Sequence, residues 1–225
     1  MIFKSLFRKK PLPPFLQQYY DSFDGSHKGS ARLEDMRFVV FDTETTGLDV
    51  NNSKLLSFGG IAINNMKLDV DDSLELIFGY ENIRVNDTAN IQGILKSHTN
   101  EEGLEPKTAL QQILEYMSNA VLVAHHADFD YKMINGALSS EFSGFKLRNK
   151  MVDTAKLALR IEHFNDGYNY RPEEYTLDAL CERYGISLTD RHTAPGDAFI
   201  TAKLLLKLLN SCKKRGIITC KDLVR

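Results

Sequence analysis

The sequence predicts an α/β domain of three layers, in which helices cover both faces of a mixed sheet. Two observations carry this prediction. Between residues 36 and 78, three segments rich in β-forming residues follow one another without a helical pattern, which indicates an antiparallel meander. After residue 106, apolar residues recur at helical spacing and alternate with short apolar strands, which is typical of strands joined by helices in a three-layer domain.

The predicted elements follow one another along the chain in that order. Strands are expected at residues 36–41, 54–64, 72–78 and 120–124. Helices are expected at residues 106–118, 129–138, 154–161 and 177–184, and a last one begins near Pro195. The helix at 177–184 has clear ends, because Thr176 is a good N-cap and Gly185 suits the position after the last turn.

Three parts are predicted along the chain. Residues 1–35 form an N-terminal extension that mixes basic residues with prolines and aromatics, and its aromatics are expected to pack against the domain. Residues 36–211 form the main domain, and residues 212–225 a short C-terminal tail.

Composition limits the class of protein. The 225 residues are 43% hydrophobic and 26% charged, which is typical of one globular domain. No stretch approaches the roughly 20 apolar residues that span a bilayer, so we expect a cytoplasmic protein without a membrane partner. A net charge of -2 excludes a uniformly basic nucleic-acid coat. An acidic site that binds cations remains compatible with phosphate binding.

The cysteines predict no covalent framework. There are three, an odd number, without the CxxC spacing of common zinc sites. We therefore expect buried or idle thiols at Cys181, Cys212 and Cys220 rather than a disulfide or a zinc site.

The strongest local feature is the segment FDTETTG at residues 41–47, at the end of the first predicted strand. Side chains alternate along a strand, so Asp42 and Glu44 point to the same face. The repulsion between them is relieved when a hard cation such as Mg²⁺ or Mn²⁺ lies between them. A solvated acidic turn is the alternative. The apolar run before Asp42 favours a central strand, whose end faces a ligand-binding crevice.

A second segment, HHADFD at residues 125–130, follows the fourth strand. Asp130 either contributes a carboxylate to the same crevice or caps the helix that begins here. His125 and His126 are adjacent on a strand and face opposite ways, so a paired-histidine zinc site is not expected unless the chain bends.

A third segment, HTAPGD at residues 192–197, leads into the last helix. Asp197 lies on or beside the face that packs on the sheet, where a carboxylate is costly to bury unless it is paired or metal-bound. His192 lies on the preceding loop. A lone loop histidine is usually a surface residue, but beside carboxylates and metal ions it is a candidate general base.

In this order, FDTETTG, HHADFD and HTAPGDA resemble the three motifs of the DEDDh or DnaQ-like exonuclease family, over residues 36–209. Each motif alone is moderately specific, and three in order are highly specific. The resemblance implies a ribonuclease H-like fold and hydrolysis at 3′ ends. It makes Asp42, Glu44, Asp130 and Asp197 the ligands of two divalent cations, Mg²⁺ or Mn²⁺, and His192 the general base.

The same resemblance places contacts to the terminal nucleotide around the first two motifs. They are expected from Thr45, Thr46, Gly47, Leu48, His126 and Phe129. His126 stands where many members of the family have Asn, and residues 91–94 read IQGI where polymerase-associated members have an HGI triplet. The segments MVDT at 151–154 and YTLDAL at 175–180 also resemble the family and are assigned to the scaffold, Asp153 included.

The sequence therefore predicts a metal-dependent 3′-to-5′ exonuclease that releases nucleoside 5′-monophosphates from single-stranded or frayed 3′ ends of DNA, in repair or proofreading. Two alternatives share the same catalytic residues: a proofreading subunit that binds a replicative DNA polymerase, and an exonuclease that trims RNA or oligonucleotides. The first would be expected to carry a longer C-terminal extension than residues 212–225. A remote alternative is an inactive exonuclease-like binding module.

Overall fold

A mixed five-stranded sheet forms the centre of the molecule. A computed structural model of the chain describes residues 12–24, 30–80, 103–163 and 170–224. The strand order is β3-β2-β1-β4-β5. β1, β2 and β3 are antiparallel neighbours, whereas β4 and β5 run parallel to β1, which confirms the predicted meander and mixed sheet. The strands are β1 Phe38–Thr45, β2 Leu55–Asn64, β3 Lys67–Ile77, β4 Val121–Ala124 and β5 Met151–Asp153.

Seven α-helices lie in the described part of the chain. They are α1 Pro14–Asp21, α2 Pro106–Tyr116, α3 Asp128–Glu141, α4 Thr154–Glu162, α5 Leu177–Tyr184, α6 Ala194–Lys214 and α7 Cys220–Leu223. α5 has the predicted bounds because its ends are fixed locally. The Thr176 hydroxyl accepts a hydrogen bond from the Ala179 amide, and Gly185 has a φ of 64°.

β3 begins five residues before the predicted start at residue 72. Asn65 and Met66 have φ values of 51° and 60°, so the chain reverses in a tight turn directly after β2. The register of the β2–β3 pair then shifts between Ile61 and Ala62, and this irregularity lets the long hairpin continue. Residues 67–71 carry three charged side chains and none of the five is buried, so the prediction placed the start of the strand too late.

The core consists of two apolar clusters, one on each face of the sheet. Phe38 and Val40 of β1 point into the cluster formed with α4, α5 and α6. Val39 and Phe41 point into the other cluster, with α1, α2 and α3. This alternation confirms the three-layer arrangement, because β1 is buried on both faces and therefore lies centrally.

α1 belongs to the N-terminal extension and packs into the apolar cluster that it forms with α2 and α3. Tyr19 is 1% exposed, and its hydroxyl donates to the Asn149 side chain and accepts from the Arg148 amide. The Phe15 ring lies 5.2 Å from that of Phe142, and the Tyr19 ring lies 5.5 Å from that of Phe145. The expected packing of the aromatic extension is confirmed for this helix.

The C-terminal residues share the first cluster. α6 continues to Lys214, and Cys212, Cys220 and Leu223 are buried with the side chains of α4 to α6. The predicted boundaries at residues 35 and 211 remain predictions, although the packing crosses both. All three cysteines are buried free thiols, as expected. Within the described residues, no helix combines the length and the apolar character needed to cross a membrane.

Candidate active site

Three carboxylates meet at the end of β1. In the β1–β2 ladder Asp42 lies opposite Gly59 and Glu44 opposite Ser57. One side-chain oxygen from each of Asp42, Glu44 and Asp197 lies within 4.8 Å of the other two. The predicted common face of Asp42 and Glu44 is confirmed, and Asp197 joins them from a segment about 150 residues away in the chain.

A glycine on β2 allows α6 to reach this point. A Cβ atom on Gly59 would lie 2.2 Å from the Pro195 nitrogen, so only glycine permits the first turn of α6 to rest on the sheet beside Asp42. Thr193 caps this helix by accepting from the Gly196 amide. Asp197 follows in the first turn and is 8% exposed, which confirms that it faces the sheet.

Asp130 connects the second segment to the first. Its carboxylate accepts hydrogen bonds from the backbone amide of Thr43 at 3.1 Å and from the Thr43 hydroxyl at 2.6 Å. The N-cap of α3 is Ala127, and Asp130 lies inside the first turn. The alternative in which Asp130 caps the helix is therefore wrong, because the helix begins two residues earlier and the carboxylate turns toward β1.

The crowding of these acids changes their protonation. Burial, followed by the charges of Asp130, Asp197 and Glu44, raises the pKa of Asp42 well above its usual range. Burial and the charges of Asp197 and Asp130 raise the pKa of Glu44 to about 7. Burial raises the pKa of Asp130 to about 6, although the two hydrogen bonds from Thr43 act to lower it. The site therefore favours bound positive charge or bound protons.

Arg191 supplies positive charge within the protein. Its Nη1 donates to Asp197 Oδ1, and its Nε donates to Asp178 Oδ1 at 2.8 Å. The guanidinium also acts to lower the pKa of Asp42 and Glu44. The sequence prediction did not name Arg191, and it placed Asp178 only within the YTLDAL segment assigned to the scaffold. Arg191 lies six residues before Asp197, on the loop that leads into α6, so a search of that loop for a cation to pair with the buried Asp197 would have found it.

His192 lies on a tight turn that precedes α6. Asp190 and His192 have φ values of 57° and 64°, in the left-handed region. A Cβ atom on Gly196 would lie 1.9 Å from the Asp190 carbonyl oxygen, so glycine allows the turn to fold against the helix start. The Thr193 hydroxyl also donates to that carbonyl. The imidazole of His192 is exposed, and its role as a base remains a prediction.

The chain bends at the second histidine of the HHADFD segment. His126 has a φ of 54°, and the rings of His125 and His126 lie 4.4 Å apart, so the expectation that they point to opposite faces is wrong. His125 Nδ1 shares a hydrogen bond with the Thr154 hydroxyl, and burial with the neighbouring His126 lowers the pKa of His125 to about 3. His125 is therefore neutral and held in place near neutral pH.

Asp153 has the scaffold role that the sequence predicted. Its carboxylate accepts from the amides of Ala155 and Lys156 at the start of α4. It also accepts from the Ala127 amide at 3.2 Å, where α3 begins. Asp153 thus fixes two helix starts behind Asp130.

The residues expected to contact a nucleotide lie close to Glu44 and Asp130 in the sequence. The Thr45 hydroxyl donates to the Gly47 carbonyl, and Thr46 pairs with Lys54 through its amide and its hydroxyl. Leu48 is 88% exposed. His126 is exposed and Phe129 half-buried at the start of α3. Their contacts with substrate remain predictions. The IQGI sequence at residues 91–94 lies outside the described residues.

Comparisons with known sequences agree with this geometry. A sequence model of the RNase_T exonuclease family matches residues 39–205, most of the chain. The PolC-type DNA polymerase III of Caldanaerobacter subterraneus subsp. tengcongensis is 31% identical over 186 residues, which cover 83% of this chain and 12% of that protein. The PolC-type polymerase of Staphylococcus aureus is 28% identical over 196 residues, with 85% and 12% covered. The chain spans only a small part of these relatives.

Solved structures share the fold. A structure of exonuclease I superposes with a TM-score of 0.63 at 16% identity, over 80% of this chain and 42% of that one. E. coli exonuclease I in complex with a dT13 oligonucleotide gives a TM-score of 0.62 at 13% identity, over 80% and 42%. At these identities the likeness concerns the fold, which is ribonuclease H-like as predicted. With the family match over residues 39–205 and the carboxylates brought together at the end of β1, the chain belongs to the exonuclease family.

Proposed function

We propose that this chain is a metal-dependent 3′-to-5′ exonuclease that shortens DNA from a single-stranded or frayed 3′ end and releases nucleoside 5′-monophosphates. The observation that carries the proposal is the meeting of Asp42, Glu44 and Asp197, whose oxygens lie within 4.8 Å of one another. Asp130 lies beside this cluster through its bonds to Thr43.

The donor set fits hard divalent cations. Carboxylate oxygens are the ligands that Mg²⁺ and Mn²⁺ prefer. Half-buried acids with raised pKa values gain most from a bound cation, because its charge offsets the desolvation and the repulsion that raised them. We propose that Asp42, Glu44, Asp130 and Asp197 hold two such ions. When bound, these ions would supply positive charge for the scissile phosphate and lower the pKa of the attacking water.

The remaining residues have roles that follow from their positions. His192, exposed on the turn before α6, is the proposed acceptor of the proton from the attacking water. The exposed Leu48 provides an apolar surface against which the terminal base can stack or wedge. Gly47, next to Thr46, lets the backbone approach the terminal nucleotide closely.

The choice of DNA rests on the relatives. The sequence relatives are DNA polymerases, and structures of E. coli exonuclease I contain dT13 and dA16 oligonucleotides. The PolC similarity also favours a second candidate function, proofreading in association with a DNA polymerase. A proofreading enzyme should remove a mismatched 3′ nucleotide faster than a paired one on the same duplex, because a frayed end reaches the site more easily.

The test follows one strand labelled at either end, prepared as DNA and as RNA of the same sequence, with Mn²⁺ present. We expect the 5′-labelled DNA to give a ladder that shortens by single nucleotides and the 3′-labelled DNA to release labelled mononucleotide at once. EDTA should abolish both.

Three outcomes would contradict the proposal in different ways. Release of mononucleotide from the 5′ label at the start of the reaction would overturn the polarity. Faster loss of RNA than of DNA would overturn the substrate class but retain the metal site. Activity that persists in EDTA would exclude the metal-dependent mechanism.

A further inference from the structure

The ion-pair chain Asp178–Arg191–Asp197 connects helix α5 to the candidate metal centre. We infer that Arg191 is a positioning residue that fixes the carboxylate of Asp197 and the turn carrying His192 by tying both to Asp178. The inference rests on the proposed function, since it assigns Asp197 to metal binding and His192 to proton transfer.

The contact with Asp197 limits how that carboxylate can turn. Arg191 Nη1 donates to Oδ1 of Asp197, whose side chain is 11% exposed, while that of Arg191 is 21% exposed. A charge-assisted hydrogen bond in such a shielded place is strong and directional. Carboxylates that bind metals commonly hold their orientation through an outer hydrogen bond of this kind.

The contact with Asp178 attaches the Arg191 side chain to helix α5. Asp178 belongs to the first turn of α5, whose bounds are fixed by the cap at Thr176 and by Gly185. Its side chain is 58% exposed and its Oδ1 lies 2.8 Å from Arg191 Nε. Asp178 is not one of the three clustered carboxylates, so its position identifies an anchor rather than a ligand.

The chemistry requires an arginine. Two carboxylates bind two different nitrogens of one planar guanidinium, so the angle between them is set by the group itself. A lysine ammonium carries the same charge, but it has no rigid fork with which to hold both partners.

The same contacts hold the turn that presents His192. The turn has left-handed backbone at Asp190 and at His192, a conformation that non-glycine residues adopt only when surrounding contacts impose it. The side chain of Arg191, between these two residues, is held by Asp178 through Nε and by Asp197 through Nη1. Loss of either bond should therefore let the turn relax.

The experiment uses Asp178→Ala with Glu182→Ala as its matched control. Both residues are exposed on α5, and both changes remove one negative charge. Mn²⁺ binding is measured by calorimetry without substrate, and kcat and KM are measured at saturating Mn²⁺. We expect Asp178→Ala to weaken Mn²⁺ binding by about 10-fold, at the lower end of the range for outer partners of metal ligands, and to lower kcat with little change in KM. Glu182→Ala should match the wild type.

Arg191→Lys distinguishes positioning from charge. We expect this variant to bind Mn²⁺ at least as weakly as Asp178→Ala, because the charge remains but the fork is lost. Thermal unfolding in EDTA reports whether each variant is folded. If Arg191→Lys does not fold, the test rests on Asp178→Ala, which changes an exposed residue.

Three results would count against the inference or the function beneath it. Wild-type Mn²⁺ affinity and kcat in Asp178→Ala would overturn the positioning role. Tighter Mn²⁺ binding in Arg191→Lys or Asp178→Ala would overturn it too, since the guanidinium would then be a competitor of the cation. A wild-type protein that binds no Mn²⁺ would refute the proposed function itself.

Discussion

The two sides of the candidate active site are held in different ways. On the strand side, Asp42 and Glu44 are fixed by the β1–β2 ladder, and the β1 residue between them, Thr43, holds Asp130 through its amide and hydroxyl. On the helix side, residues 190–197, Asp197 is fixed by the Arg191 side chain and by the close approach of α6 to β2.

The strand side is therefore held by backbone hydrogen bonds, and the helix side by individual side chains and one glycine contact. A ladder of backbone hydrogen bonds persists through most substitutions, whereas an ion pair or a glycine contact depends on single residues. We therefore expect substitutions of the residues that hold the helix side in place, such as Arg191 and Gly59, to disturb geometry, and substitutions of the strand-side carboxylates to change mainly charge. The following predictions test that distinction, beginning with the largest effect.

Asp42→Asn should remove turnover while the protein becomes more stable in EDTA. The variant loses a proposed metal ligand. The loss of several kcal/mol of charge stabilisation in the transition state corresponds to a rate loss of roughly 10⁴-fold. It also loses a half-buried charge that its neighbours repel. Nuclease assays and thermal unfolding measure the two effects. Asp71→Asn, on the exposed part of β3, should change neither. Undiminished activity in Asp42→Asn would contradict the site assignment.

His192→Ala should lower the rate by roughly 10²- to 10⁴-fold, the usual contribution of a general acid or base. Because the side chain is exposed, the melting temperature and the Mn²⁺ affinity should stay at their wild-type values. Single-turnover kinetics measures the rate, and calorimetry measures the melting temperature and the Mn²⁺ affinity. A variant with wild-type rate would remove His192 from the mechanism and leave the carboxylates unaffected.

Gly59→Ala should break the contact between the two sides. The new methyl group meets the backbone of Pro195, so α6 must move away from β1, and overpacking of this kind costs about 1–3 kcal/mol. A displacement of Asp197 of about 1 Å should lower activity on the order of 10²-fold.

The control for this variant is Gly136→Ala. No atom lies within 4 Å of the added Cβ at Gly136, in the middle of α3, so alanine there should stabilise the protein by about 0.5–1 kcal/mol and leave activity unchanged. If both variants behave alike in thermal unfolding and nuclease assays, the contact at Gly59 does not position α6.

The smallest effect concerns pH. In EDTA, the free energy of unfolding should fall as pH rises from about 4.5 to about 7, because Glu44 has its higher pKa in the folded state and the folded protein then holds the extra proton. Thermal unfolding across this range should show a shallower slope in Glu44→Gln. Mn²⁺ should offset the loss at the upper end. A slope that is the same in both proteins would contradict the shift.

The sequence predicted those parts of the site that depend on the repeat of side-chain directions within one strand or one helix. Alternation along β1 predicted that Asp42 and Glu44 lie on one face, and helical spacing predicted that Asp197 faces the sheet. The structure confirms both positions. The caps of α5 gave its bounds to the residue. In each case the signal lies within a few residues of the element that it predicts.

The parts that were missed depend on contacts between distant segments. Thr43 and Asp130 are 87 residues apart, so nothing local distinguished a partner of Thr43 from a helix cap. The need for glycine at position 59 arises only when Pro195 rests on it. The bend at His126 follows from a left-handed backbone that a histidine adopts without any sequence signal such as glycine.

The buried hydroxyl of Tyr19 has a practical consequence for work with this domain. It bonds to residues 148 and 149, and Asn149 in turn donates to the carbonyls of Met117 and Ala120 at the end of α2. Trimming the chain to the family match at residue 39 would leave these polar groups without their partner and uncover the apolar face beneath α1. Expression trials of the nuclease should therefore begin before Pro13, or solubility will be lost for reasons unrelated to catalysis.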